Sequence, residues 1–232
     1  MNYPAVFRYL RRLASGDPRT WKYLPYQLSM NCRGIDLSGA SQKDSGLSEE
    51  RSYGYRDSGG PDLDRLLQTL SISRSDTVLD LGCGKAGAML TLAKYAFARV
   101  DGVEISPQLA RIGQNNLQRM RLSHAKIFCC DAAEFTDLDP YIYFYMYNPF
   151  PEIVMRSVME NIMSSLTRRS RKVTLIYKNS LLHDLVVGAG FRKVAETRQT
   201  HPHPPSSIYA PFSIYVWDSV ARATSRECFV RG

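Results

Sequence analysis

The stretch from Thr77 to Gly87, Thr-Val-Leu-Asp-Leu-Gly-Cys-Gly-Lys-Ala-Gly, constrains the fold more than any other part of the chain. Thr77, Val78 and Leu79 read as a buried strand, and a helical pattern starts at Ala88. Glycines between a strand and a helix build a ligand cradle. The backbone approaches the ligand closely there, and the helix N-terminus offers free N–H groups. Asp80 bears on the ligand's charge. A carboxylate just before Gly82 repels a pyrophosphate and favours a ligand with an ammonium group. Gly82, Gly84 and Gly87 still form a formal dinucleotide fingerprint, so a nicotinamide cofactor stays open at this point.

From residue 62 onward the pattern alternates. Leu63, Leu66, Leu67 and Leu70 predict a helix, followed by strand 77–81, helix 87–97, strand 99–105 and helix 107–120. Ser106 before Pro107 is an N-cap with proline at the first helical position. Strands over 125–130 and 141–147, helix 152–166, strand 172–178, helix 180–187 and strands 190–196 and 208–217 complete the series. Strands alternating with helices predict an α/β fold, a mainly parallel doubly wound sheet. The last two strands lack a helix between them and should pair antiparallel.

The chain of 232 residues is long enough for one such domain, expected over 62–218, plus an extension over 1–61 and a tail over 219–232. Residues 4–14 read as an amphipathic helix packed on the main domain, with Val6, Phe7, Leu10 and Leu13 on one face. Residues 32–61 read as a loop or linker, in which Tyr53 and Tyr55 either close over the ligand as a lid or anchor the loop. No apolar run reaches membrane-spanning length and no signal peptide is apparent. The five cysteines have no metal-ligand spacing, which predicts buried thiols in a reducing cytoplasm and no metal. The net charge of +8 is concentrated late in the chain, with a cluster at Arg168, Arg169, Arg171 and Lys172. That cluster precedes a strand, so it lies away from the ligand end of the sheet and reads as a solvated loop. No aromatic residues interleave with it, so a nucleic-acid footprint is disfavoured.

Glu104 ends the second strand about 20 residues after the glycine loop, where a carboxylate accepts both hydroxyls of a ribose. The run Val78-Leu79-Asp80-Leu81-Gly82-Cys83-Gly84 resembles the first motif of class I S-adenosylmethionine-dependent methyltransferases. The resemblance extends over roughly residues 60–217, and it implies a seven-stranded order with a final hairpin. It departs at Ala86, where the family usually has a third glycine. The resemblance implies S-adenosyl-L-methionine as cofactor, held by Asp80, Gly82, Cys83 and Gly84, with Glu104 and Ile105 at the ribose. Asp131 after the third strand would accept from the adenine amino group, and the Ala132 backbone would reach a ring nitrogen.

Tyr147 is followed by Asn148-Pro149-Phe150-Pro151, at the position of the family's fourth motif. It resembles the Asp/Asn-Pro-Pro-aromatic motif of amino methyltransferases, with Phe150 where the second proline stands. Small bacterial methyltransferases share such an Asn-Pro-Phe motif. The resemblance implies catalysis at Asn148, Pro149 and Phe150 on a nitrogen acceptor, a protein side chain or a small molecule. An NAD-linked oxidoreductase and a non-catalytic cofactor-binding adaptor are the alternatives. Tyr177 and Asn179, at the end of the fifth strand, are further candidates for the substrate pocket. Oligomeric state is not legible.

Overall fold

The computed structural model describes residues 18–39, 54–197 and 210–219. The expected helix over 4–14, Tyr53, the loop carrying His201 and His203, and residues 220–232 lie outside them.

The apolar run Thr77–Leu81 forms β1, buried from Val78 onward, an interior strand of a seven-stranded sheet. The other strands are β2 (Arg99–Glu104), β3 (Ala125–Cys129), β4 (Tyr143–Tyr147), β5 (Val173–Lys178), β6 (Arg192–Glu196) and β7 (Phe212–Trp217). Their order is β3-β2-β1-β4-β5-β7-β6. Neighbours from β3 to β5 run parallel, whereas β7 is antiparallel to both β5 and β6. The expected mainly parallel sheet with a C-terminal antiparallel pair is what forms.

The chain winds outward from β1 to β2 and β3, then returns to β4 on the other side of β1. That reversal is a topological switch point, which opens a crevice at the carboxyl ends of β1 and β4. The glycine loop leaves β1 there, and Asn148 leaves β4 beside it.

Alternate residues of each central strand face opposite layers. Val78, Tyr143, Tyr145, Ile176 and Phe212 belong to one apolar core, with α1 (Pro18–Cys32), α2 (Pro61–Leu67) and α3 (Gly87–Leu92) on that side. Leu79, Leu81, Phe144, Met146 and Leu175 belong to the other, covered by α5 (Glu152–Arg168) and α6 (His183–Gly188). Between β2 and β3, α4 (Pro107–Arg119) is capped by the Ser106 hydroxyl, which accepts from the Leu109 N–H.

The helix α1 has no counterpart among the sequence expectations. Tyr23, Tyr26 and Met30 form its buried stripe, and Pro25 inside it leaves the carbonyl four residues earlier without its helical donor. The residues after it are tied to the domain. The Asp36 N–H donates to Asn116 Oδ1 (3.1 Å), and Asn116 Nδ2 donates back to the Asp36 carbonyl (2.9 Å). On the far side of the loop, the Gly60 N–H donates to Thr91 Oγ1 (2.8 Å).

The basic cluster lies at the amino end of β5, as its position in the chain implies, but two of its members do structural work. Arg168 pairs with Asp139 (2.8 Å). The half-buried Arg171 donates to the carbonyls of Tyr141 (2.8 Å) and Leu138 (2.8 Å) and to Ser165 Oγ (3.0 Å). It thereby clamps the turn before β4 to the end of α5. Arg171→Met should leave these acceptors unpaired and cost on the order of 2 kcal/mol in urea unfolding. A neutral effect would show that the clamp contributes nothing net.

Candidate active site

The glycine loop is held by β2. The N–H groups of Gly82 and Cys83 both donate to the Val103 carbonyl, at 2.9 and 3.0 Å. Glu104, at the end of β2, then clasps the loop from beyond. Its Oε2 accepts from the Gly84 N–H and its Oε1 from the Ser106 N–H, each at 2.8 Å. Each carboxylate oxygen keeps a second lone pair, so two ribose hydroxyls can still bind.

The loop needs its glycines for packing as well as for turning. Gly82 has φ +79 and Gly84 has φ +54. A Cβ at Gly82 would come within 2.6 Å of Pro149, and one at Gly84 within 2.1 Å of the Tyr55 ring. The loop is therefore sandwiched between the motif that follows β4 and the segment that precedes α2. Lys85 Nζ pairs with Asp36 (3.0 Å) and lies 5.7 Å from the Tyr55 ring centroid. Tyr55 thus sits on the loop; Tyr53 is outside the described residues. Cys83 turns its sulfur inward under β2, against the Gly102 position, so only its backbone faces the loop.

Asp80 is 3% exposed, and its carboxylate takes part in no hydrogen bond or ion pair among the described residues. Burial, and then the neighbouring Glu104, push its pKa well above the ordinary carboxylate value. Burial raises Glu104 too, against the opposing pull of its backbone donors. Two desolvated carboxylates with one amide clasp between them form a site short of positive charge. A buried carboxylate without a partner is costly unless a cation meets it. A ligand carrying an ammonium and a sulfonium fits this site, whereas a pyrophosphate does not.

The remaining expected contacts lie on the same rim. The Cys130 N–H donates to the Glu104 carbonyl (3.1 Å), which brings the end of β3 beside the end of β2. Asp131 follows, half-exposed, its Oδ1 accepting from the Ala133 N–H (2.9 Å), with Ala132 buried next to it. Ile105 is half-buried beside Glu104.

At the other side of the crevice, Asn148 adopts φ +36, a conformation asparagine tolerates better than most residues. Its Oδ1 accepts from the Tyr177 hydroxyl on β5 (3.1 Å). Pro149 lies against Gly82, and Phe150, 7% exposed, is part of the core under α5.

Residues 78–171 match the family model described as "Methyltransferase domain". Over that stretch the chain is similar to methyltransferases, and its seven-stranded sheet has the Rossmann-like methyltransferase fold. No curated protein matches it in sequence. Among solved structures, the fold is similar to that of mitomycin 7-O-methyltransferase (TM-score 0.53, 12% identity, 68% of this chain and 53% of that one). It is also similar to the StiE O-MT segment of residues 961–1257 (0.51, 16%, 68% and 74%). A geranyl diphosphate methyltransferase in complex with GPP and sinefungin is a third (0.50, 13%, 68% and 76%). The chain spans about half the length of the first of these. The match over residues 78–171 counts against the nicotinamide alternative, in line with the buried Asp80 carboxylate.

Two groups near the crevice carry no motif that singles them out in the sequence. Asp57 hydrogen-bonds the Gly59 N–H (2.9 Å) against the start of α3, and Lys178 ends β5 fully buried. The signal for Lys178 was a charged residue on the inward side of a buried strand pattern.

The raised Asp80 pKa gives a pH dependence of defined sign. The folded chain holds this proton more tightly than the unfolded one. Ionising Asp80 therefore costs stability as pH rises from the usual carboxylate range through the folded value. A bound ammonium recovers that cost. The rise in Tm on adding S-adenosylhomocysteine should accordingly be larger at pH 8 than at pH 5.5, and Asp80→Asn should flatten the difference. Glu104→Ala should weaken the same ligand by ~1.5 kcal/mol or more in calorimetry, since a charged acceptor to two hydroxyls is lost. Unchanged affinity would move the ribose elsewhere.

Proposed function

We propose that this methyltransferase transfers the methyl group to a nitrogen acceptor presented at Asn148. The supporting observation is the Asn148–Tyr177 pair. The amide oxygen has two lone pairs, and the Tyr177 hydroxyl takes one of them. The other is left for an acceptor N–H, and the Tyr177 contact fixes the direction in which it points. An amine that donates to Asn148 Oδ1 turns its own lone pair toward the glycine loop, which Pro149 brings against the end of β4.

The bound cofactor supplies an electrophilic methyl on a sulfonium. Asp80 faces the ammonium of its methionine part, Glu104 orients the ribose, and Asp131 with Ala132 meets the adenine. Asn148 and Tyr177 orient the acceptor. Attack on the methyl is in line, so alignment is the main contribution asked of these residues. A neutral amine needs no strong base to attack.

A small molecule or a protein side chain suits this site better than a nucleic acid, because the basic residues Arg168 and Arg171 are engaged at the opposite end of the sheet. Among the described residues no helix is long and apolar enough to cross a membrane. Fold relatives named for oxygen transfer, at 12% and 16% identity, share the scaffold and leave the choice of atom to the site.

The assay is tritiated methyl transfer from S-adenosylmethionine into a cell extract. Asn148→Ala should lower turnover ~10²-fold or more while leaving affinity for S-adenosylhomocysteine nearly intact. Tyr177→Phe should cost roughly 10-fold, by freeing the amide to rotate. Label released as methanol by alkali would mark an ester and exclude nitrogen as that acceptor. An Asn148→Ala chain as fast as the parent would reduce Asn148-Pro149 to a strand-ending turn.

A further inference from the structure

Lys178 is the last residue of β5 and is 1% exposed. Register pairs it with Tyr147, the residue before Asn148, and with Phe212 on β7. Its Nζ lies between those two rings, 4.9 Å from each centroid. The rings offset part of the cost of burying an ammonium. They accept none of its three N–H donors in a conventional hydrogen bond, and no oxygen of the described residues does so. Asp57 and Asp62 act on it only at a distance. Asp57 is bonded to the Gly59 N–H, and Asp62 is paired with Lys22. Burial pulls the Lys178 pKa down to about 8, so near neutrality the group is still mostly a cation.

A buried lysine with no carboxylate of the described residues in salt-bridge contact is uncommon in a folded chain and is costly to keep. It stands at the carboxyl end of the sheet, where ligands bind, and next to the fourth motif. The strand order places it two strands from β1, about 10 Å from the glycine loop, on the acceptor side of the crevice. The exposed Arg56 adds positive charge at the same place, since its field reaches Tyr147. The crevice is thus divided: buried carboxylates at the ends of β1 and β2, a buried ammonium at the end of β5.

We propose that Lys178 anchors an oxyanion group of the acceptor, so that the substrate class is an amine that also carries a carboxylate or phosphate. The proposal rests on the reading of the β4 end as the acceptor site. Asn148 then orients the nitrogen, and Lys178 fixes the far end of the molecule between Tyr147 and Phe212. This two-point hold selects acceptors by charge.

The test compares the parent chain with Lys178→Met and Lys178→Arg, each saturated with S-adenosylhomocysteine. Acetate and inorganic phosphate are the probes, titrated against chloride at equal ionic strength. The parent should show a saturable rise in Tm that Lys178→Met lacks and Lys178→Arg keeps in part. No response in the parent, or equal responses in the parent and Lys178→Met, overturns the proposal. Should Lys178→Met fail to fold, Lys178→Gln makes the same comparison. In the extract assay, labelled products should bind an anion-exchange column, and Lys178→Met should lower that fraction roughly 10-fold or more at limiting extract.

The cofactor's own carboxylate is the rival source of the anion, and calorimetry separates the two. If Lys178→Met weakens S-adenosylhomocysteine but not methylthioadenosine, which lacks the carboxylate, the anchor belongs to the cofactor and the acceptor proposal is wrong. Alkali-labile label on an acidic product would sink the nitrogen reading and leave the anion anchor standing.

Discussion

The Glu104 carboxylate is the contact on which the rest of the crevice depends. It accepts from the Gly84 N–H and the Ser106 N–H, each at 2.8 Å, and so ties the loop after β1 to the start of α4. Without that bridge, the left-handed turn at Gly84 and the N-terminus of α4 would have no common fixed point. The clasp has an electrostatic cost, because it holds a second carboxylate near Asp80, whose pKa burial and then Glu104 push up. A cationic ligand, as proposed for this site, relieves that repulsion. The same interaction therefore shapes the cradle and selects what enters it.

The surrounding layers turn this local arrangement into a two-sided site. The switch point sets β1 and β4 side by side, so Pro149 closes on Gly82 while Tyr55 closes on Gly84 from the opposite direction. The loop cannot shift without moving one of them. The tyrosine-rich strand Tyr143–Tyr147 separates the two cores, and its end carries both Tyr147 toward Lys178 and Asn148 toward Tyr177. The buried carboxylates of β1 and β2 and the Asn148–Tyr177 pair are thus held on neighbouring strands of one sheet, which suits the proposed alignment-driven transfer.

Much of the framework was legible because its signals are local. The strand–glycine–helix run at 77–87, the Ser106-Pro107 cap and the apolar periodicity of each element report on neighbours within a few residues. The structure reproduces them nearly strand for strand. The helix Pro18–Cys32 was not legible, because two prolines and interspersed polar residues mask a buried stripe that only Leu63, Leu66 and their neighbours complete. The basic cluster was placed at the right end of the sheet, yet Arg171's role could not be read. Its partners lie at Leu138, Tyr141 and Ser165, and no spacing rule links them.

The sequence by itself determined that the chain is an α/β sheet protein with a glycine cradle that favours a cation, since backbone freedom, periodicity and the sign of a nearby charge are local properties. Only the tertiary structure decided which groups lost their water and which found partners. It buried the Asp80 and Lys178 side chains with no salt bridge among the described residues, and gave Asn148 its Tyr177 across a strand boundary. Desolvation and pairing arise when distant segments pack together, and a group's energy there depends on what the fold places opposite it.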